Sequence, residues 1–411
     1  MVRAHHLNNK IHIAVIGGNG FIGRHFIQRL FKQKNVRIWS LDLKHHNVHI
    51  DVSDAEAIVE QVRIDIAAES VIQSWLMANP VDYVVYCAGC EVITDGLHPS
   101  FVYDAKTLLG LSRTLDALRS IPKFDETDEL PYFMYLSSWS VYGFNRKKVS
   151  NEEATLIPAN YSGMMKMAAE DLVGRMCTKL EIPFSILRPT EVYGRSHHKQ
   201  LKDKRFWPGY VNFFVNQIVS RQEKVEVFSP DTRLDLVNVN YLTKVMAQML
   251  ADRTEGVFNV SSGEVLSLWD LASSVIDCYG DGVVSSLHKT RRLKIEDMTV
   301  DSSKVHSLVP YEYDKYSLDS FLKDYIPVRR FEIARDMTIE QILSERFTLD
   351  TTSYGAKEHF DKRQARRALD YQKIMEVAGD QFKKIQYAKF QERARKLLAG
   401  EKPKLLTTEE E

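Results

Sequence analysis

Cysteine is scarce in this chain of 411 residues: Cys87, Cys90, Cys177 and Cys278 are all it has. So few thiols in so long a chain make no disulfide framework, which excludes a small bridged scaffold. Cys87 and Cys90 stand at C-x-x-C spacing, suggestive of a redox pair or half of a metal site, but no second pair exists to complete one. They close the apolar run DYVVYC, and the plainer reading makes them small residues lining a ligand. His197 and His198 are adjacent rather than at ligand spacing, so no metal is expected. Long apolar runs are missing too, and MVRAHHLNNK passes directly into the first strand without the order of a secretory leader. The expectation is a cytoplasmic protein with no membrane segment. Net charge is absent overall, with Lys+Arg and Asp+Glu both at 55. The balance is uneven, because residues 355–404 hold 14 Lys/Arg against 7 Asp/Glu, and an acidic body and a basic tail read as separate units.

What the chain does have is a glycine turn. Ile11 to Gly23, IHIAVIGGNGFIG, runs from a short apolar strand through Gly17, Gly18, Asn19 and Gly20 to Gly23, then into a helical pattern. Gly17 permits a tight turn off the strand, Gly20 lets backbone N–H groups approach a pyrophosphate, and Gly23 lets the helix pack close to the sheet. The phosphates then sit at the positive end of the helix dipole, in a cradle that includes Phe21 and Ile22.

Strand-like runs, IHIAVIG, VRIWSLDL, DYVVYCAG, PYFMYLSS and PFSILRP, alternate with amphipathic stretches such as AEAIVEQVR and LSRTLDALRSI. This alternation predicts the α/β class: a Rossmann-type doubly wound parallel sheet with helices on both faces. Asp42 ends the second strand, about 20 residues beyond the glycines. A carboxylate there accepts hydrogen bonds from a ribose and repels a 2′-phosphate, so NAD(H) is expected over NADP(H), with Lys44 nearby as the counterweight. Asp51 and Val52, after the next short strand, either meet the adenine edge or precede a helix cap at Ser53 and Asp54.

GGNGFIG, DYVVYCAG, YLSSWSVYG, SGMMKMAAED and ILRPTEVYG follow one another along residues 11–325. In these motifs the chain resembles the extended short-chain dehydrogenase/reductases, in their nucleotide-sugar epimerase/dehydratase branch. The resemblance implies an NAD-dependent enzyme, a nucleotide-sugar substrate, and a homodimer formed by helix pairing. It implies that Ala88 and Gly89 pass under the cofactor. Family chemistry takes a hydride from a sugar carbon to the nicotinamide while a tyrosinate removes the hydroxyl proton. A lysine lowers the tyrosine pKa and holds the ribose, and a Ser/Thr hydroxyl bonds the substrate oxygen. Ser138, three residues before Val141-Tyr142-Gly143, matches that hydroxyl, with a strand-end serine capping a turn as the lesser alternative. Lys166 matches the lysine.

The tyrosine is where the pattern breaks. Four residues before Lys166, the spacing that puts two side chains on one helix face, stands Ser162. Tyr161 is one residue too early, and at about 100° per residue it points about 140° away from Lys166. A non-helical start at Asn160 and Tyr161 would bring the phenol back as acid/base. Otherwise another group is the base, or the chain carries out no hydride chemistry. Glu191 is a second departure, standing where the family usually has an asparagine against the sugar or diphosphate. It reads as a substrate-binding carboxylate, as the missing base, or as a residue turned to solvent or paired with Arg188. Where family dehydratases carry Asp-Glu, this chain has Trp139 and Ser140, which disfavours 4,6-dehydration.

By the resemblance, residues 1–190 form the NAD-binding domain and residues 191–330 a smaller α/β substrate lobe, from which segments can return to the first. Arg233 matches a phosphate-contacting arginine, and Arg291 or Arg292 stands where a second is expected. Asn259 resembles a loop on the cofactor-proximal face of that lobe. Residues 331–411 read as a charged helical extension. Its irregular apolar stripe suits packing on the chain's own body, a second subunit or a protein partner, and no nucleic-acid reader motif accompanies it. The reaction expected is epimerisation through transient C4 oxidation. The rivals are an NAD-bound protein without catalysis, and a reductase or lyase of another small molecule.

Overall fold

The computed structural model describes residues 10–43, 55–89, 101–119, 121, 130–143, 149–195, 209–221, 224–227, 229–286 and 299–336. β1 (Ile11–Ile16) passes through the glycine turn into α1 (Phe21–Arg29) and β2 (Val36–Asp42). Next come β3 (Ile58–Arg63), α2 (Val71–Ala78), β4 (Tyr83–Tyr86), α3 (Phe101–Leu118) and β5 (Tyr132–Leu136). A short 3-10 turn at Trp139–Tyr142 precedes α4 (Tyr161–Leu180) and β6 (Phe184–Pro189). The chain continues through β7 (Glu191–Tyr193), α5 (Gly209–Arg221), β8 (Lys224–Val227), β9 (Arg233–Asn238), α6 (Val239–Asp252) and β10 (Gly256–Val260). It then forms β11 (Glu264–Ser267), α7 (Leu268–Tyr279), β12 (Val283–Ser286), α8 (Ser303–Leu308), α9 (Tyr313–Tyr316) and α10 (Leu318–Asp336).

Seven strands make one parallel sheet in the order β10-β6-β5-β4-β1-β2-β3. The apolar runs suit strands that are covered on both faces. Side chains alternate along β1: Ile13 and Val15 join Phe26 and Ile27 of α1 and Tyr241, Leu242 and Val245 of α6. Ala14 and Ile16 join Leu111 and Leu115 of α3 and Ala169 and Val173 of α4 in the opposite layer. Each large side chain fully buried this way stabilises the fold by roughly 1.5–3 kcal/mol. This is the Rossmann-type doubly wound α/β sheet expected, and its strand order reverses between β1 and β4, where such sheets open a ligand crevice.

Two small sheets, β11-β9-β7 and β12-β8, supply the second lobe. Within residues 191–330 the chain returns to the large sheet: α6 packs on α1, and β10 pairs with β6. Asn259 therefore belongs to the edge of the large sheet. The chain divides into two compact units, Met1–Asp324 and Tyr325–Glu411. Residues 337–411, with most of the expected extension, lie outside the described residues.

One element differs in kind from the sequence expectation. AEAIVEQVR reads as an amphipathic helix, but Ile58–Arg63 is the edge strand β3, paired in parallel with β2 from Arg37↔Ile58 to Asp42↔Arg63. Ile58, Val59 and Val62 are β-branched, which favours a pleated surface, and Arg37 Nε donates to Glu60 Oε1 across the pair at 2.8 Å. Half-exposure blurred the alternation that marks a strand.

Candidate active site

The glycine turn lies at the strand reversal. Gly17 has φ +78°, a left-handed conformation that favours glycine, and a Cβ there would lie 2.7 Å from the backbone nitrogen of Ala88. A Cβ on Gly23 would collide with the carbonyl oxygen of Gly17, so the third glycine sets how closely α1 approaches the turn. Gly20 occupies the N-cap of α1 without a side-chain cap, which leaves the first-turn N–H groups of Phe21 and Ile22 facing outward as an anion cradle. Phe21 packs edge-to-face on His25 at 4.9 Å, and Ile22 packs partly into the core. Asp42 stands beside this turn, its Oδ2 accepting from the Asn19 backbone N–H at 3.2 Å, while Ser40 Oγ donates to Asn19 Oδ1 at 2.9 Å.

Asp51 and Val52 lie outside the described residues. The strand beside β2 is β3, so the acidic residue that follows the third strand is Asp65, which the sequence reading missed. Its Oδ1 accepts from Ala67 N–H at 2.9 Å, and Ile66 packs on Gly110 of α3.

Ala88 and Gly89 extend from β4 between the glycine turn and α4. Lys166 reaches them from α4: its Nζ donates to the Leu136 carbonyl at 2.8 Å, and a Cβ on Gly89 would lie 3.3 Å from that nitrogen. Burial pushes the Cys87 thiol up to about 12 against the pull of Lys166, so it stays protonated near neutral pH. That chemistry suits a lining residue rather than a thiolate. Cys90 is outside the described residues.

Ser138 lies two residues beyond β5 and is buried, with its Oγ accepting from Ser140 N–H at 3.2 Å and from Ser140 Oγ at 3.0 Å. It caps the 3-10 turn, and its own hydroxyl proton remains available to donate. Gly163 packs so closely on the Ser140 carbonyl that a Cβ would collide with it, which ties the first turn of α4 to this serine pair. Asn160 caps α4, accepting from Gly163 N–H at 2.8 Å, and the helix is regular from Tyr161 onward. The irregular start that would swing the phenol round is therefore not what this helix has. Ser162 shares the face of Lys166.

Behind the serines lies a buried polar clamp that the sequence did not announce. Arg188 on β6 donates from Nη2 to Glu170 Oε2 at 2.7 Å, and Glu170 also accepts from Ser137 Oγ. Arg188 Nη1 donates to the Tyr142 hydroxyl at 2.7 Å, which donates to Asn259 Oδ1 at 2.7 Å. Burial pulls the Arg188 pKa down, but Glu170 and Tyr142 outweigh it and leave it raised. Arg188 is thus committed to Glu170, not to Glu191. Glu191 instead accepts from Tyr210 N–H at 2.8 Å, capping α5 with a carboxylate at the positive helix end. Arg233 begins β9, exposed and in register with Ser267. Arg291, Arg292, His197 and His198 lie outside the described residues.

A family model described as the NAD dependent epimerase/dehydratase family matches residues 13–261. The chain belongs to this family. It is 22% identical over 286 residues to a dTDP-D-glucose 4,6-dehydratase of Dictyostelium discoideum, covering 64% of this chain and 61% of that protein. It therefore spans less than two thirds of that relative. It is 21% identical over 324 residues to a UDP-glucose 4-epimerase of Lactobacillus helveticus, covering 75% of this chain and 94% of the other. Among solved structures, the UDP-glucose 4-epimerase of Thermus thermophilus in complex with NAD superposes with a TM-score of 0.63 at 19% identity, covering 77% of this chain and 98% of that one. The cofactor expected from the sequence is the one that names the family. This chain's residues fit it: the turn at Gly17, Gly20 and Gly23 leaves the start of α1 without a side-chain cap, Asp42 stands beside that turn, and Lys166 reaches the end of β5 next to Gly89. Among the described residues no cluster of three His, Cys, Asp or Glu could hold a metal. No described helix is long and apolar enough to cross a membrane.

Proposed function

We propose that this member of the epimerase/dehydratase family converts a nucleotide-linked sugar, by transient oxidation at C4 and re-reduction in an epimerisation. The observation that carries the reading is the convergence of Lys166 and the Ser138–Ser140 pair on the strand ends beside the glycine turn. NAD, when bound, supplies a hydride acceptor. Ser138 donates a hydrogen bond to the sugar oxygen and orients it. Lys166 holds the ribose, and its positive charge favours loss of the hydroxyl proton. Tyr161 takes that proton only if the first turn of α4 rearranges around the substrate. Ser162 sits on the Lys166 face but forms no anion near neutral pH, and would have to relay the proton through water. Arg233 and Arg292 are assigned to the diphosphate, and Glu191 to the sugar side of the same lobe. Trp139 and Ser140 supply no acid pair for eliminating water, which weighs against dehydration.

The test is incubation of the full-length protein with NAD and a panel of nucleotide sugars, with products resolved by chromatography and mass detection. A new isomer of unchanged mass supports epimerisation and names the substrate. One observation favours a second reading, an NAD-bound protein without turnover: Ser162 in the tyrosine slot. NAD binding with no conversion across the panel would choose it.

A further inference from the structure

A buried cation without a counter-charge lies behind the glycine turn. Arg24, in the second turn of α1, is 1% exposed, and its Nε and both terminal nitrogens have no hydrogen-bond partner among the described residues. Burial pulls its pKa down, with no neighbouring charge acting against that pull. A buried guanidinium left unpaired is strongly unfavourable, and an anion is what satisfies it.

The geometry of α1 indicates where such an anion lies. Gly23 and Ile27 face the glycine turn, while Arg29 faces α6, donating to Thr243 Oγ1 at 3.0 Å and to the Asn240 carbonyl at 2.8 Å. At about 100° per residue, Arg24 stands about 140° round the helix from Arg29, on the flank away from α6. That flank is the β2 side, because α1 leads from β1 to β2 while α6 leads into β10 at the far edge of the sheet. Long helical side chains lean toward the helix N-terminus, which carries the guanidinium back along this flank toward the start of α1.

We propose that Arg24 is a phosphate-binding residue of the dinucleotide site, receiving a cofactor phosphate on its guanidinium fork. The proposal rests on the cofactor reading above. Two phosphates offer the fork the same chemistry: the pyrophosphate over the start of α1, and a 2′-phosphate beside β2. The Asp42 carboxylate favours the first by repelling the second.

The test measures binding of NAD and NADP by calorimetry to the full-length protein and to Arg24→Met and Arg24→Lys, with melting temperatures taken in the absence of dinucleotide. Arg24→Met should weaken binding by roughly ten- to a hundredfold while leaving the melting temperature unchanged or raised, since the orphan charge is gone. Arg24→Lys keeps the charge without the fork and should lose less; if the methionine variant does not fold, the lysine variant decides. A loss for NAD assigns the pyrophosphate, and a loss for NADP alone assigns the 2′-phosphate. Arg29→Met, on the α6 flank, should bind as the parent does. If the parent binds dinucleotide and both Arg24 variants match it within about twofold, the proposal is overturned. A parent that binds neither dinucleotide overturns the cofactor reading, and this inference with it.

Discussion

Lys166 Nζ donates to the Leu136 carbonyl at 2.8 Å from a position where it would also touch a methyl group on Gly89. One ammonium thus spans the ends of β4 and β5, the strands flanking the crevice. A backbone oxygen holds the ammonium and orients it at the crevice. Lys166→Met should therefore lower any turnover on the active nucleotide sugar by at least about a hundredfold, the usual scale for proton-transfer assistance. The melting temperature should fall little, since methionine fills the same channel. Turnover within a factor of a few of the parent would remove Lys166 from the chemistry.

Ser162 and Tyr161 make opposite predictions. If the phenol of Tyr161 is the acid/base, Tyr161→Phe abolishes turnover while NAD affinity stays near the parent value. If the slot at the Lys166 face is what matters, Ser162→Tyr restores the i, i+4 pair and should raise epimerase turnover, or create it. Both variants are read with the same chromatographic assay. A fully active Tyr161→Phe together with an inert Ser162→Tyr would place the acid/base elsewhere.

The legible parts of this molecule were those where local pattern and tertiary environment agree. YVVY, and IHIAVI apart from His12, are apolar because both faces of the sheet are covered, and the glycine spacing records collisions that a Cβ would cause at Gly17 and Gly23. Ser162 was visible because helical spacing alone places it. IVEQVR was misread because an edge strand is half exposed, and Asp65 was overlooked with it. Arg24 follows the glycine motif like any surface helix residue, and only the packed neighbours bury it. Glu191 finds Tyr210 N–H nineteen residues on, a pairing that no local signal announces.

Glu170 and Arg188 are both 5% exposed, and they join α4 to β6 directly behind Ser137. Removing one partner leaves the other charge buried and unpaired, so Glu170→Ala should lower unfolding free energy by about 3–5 kcal/mol. Urea denaturation monitored by circular dichroism measures this. Replacing both, as Glu170→Met with Arg188→Met, should cost less than the sum of the single variants, because no lone charge remains. Additive losses would show that the pair is not energetically coupled.

Asp235 on β9 is 1% exposed; burial raises its carboxyl to about 7, against hydrogen bonds from Ser261 Oγ and from backbone N–H groups at Val300 and Gly263. The ordinary value is 3.8, so between about 4 and 7 the folded state keeps a proton that the unfolded chain has released. The sign follows: this carboxyl's contribution is fully present below the ordinary value and is lost as pH rises through about 7, at up to about 1.4 kcal/mol per pH unit. Other carboxylates bend the total curve, so the informative quantity is the difference between the parent and Asp235→Asn, which does not titrate. Unfolding free energy of the parent relative to Asp235→Asn should fall steadily from pH 4 to pH 7 and level off above that. The hydrogen bonds at Oδ2 survive in the amide if its oxygen takes that position, so the variant is expected to fold. A difference that stays flat across the range would mean that Asp235 ionises in the folded protein as it does in the unfolded chain.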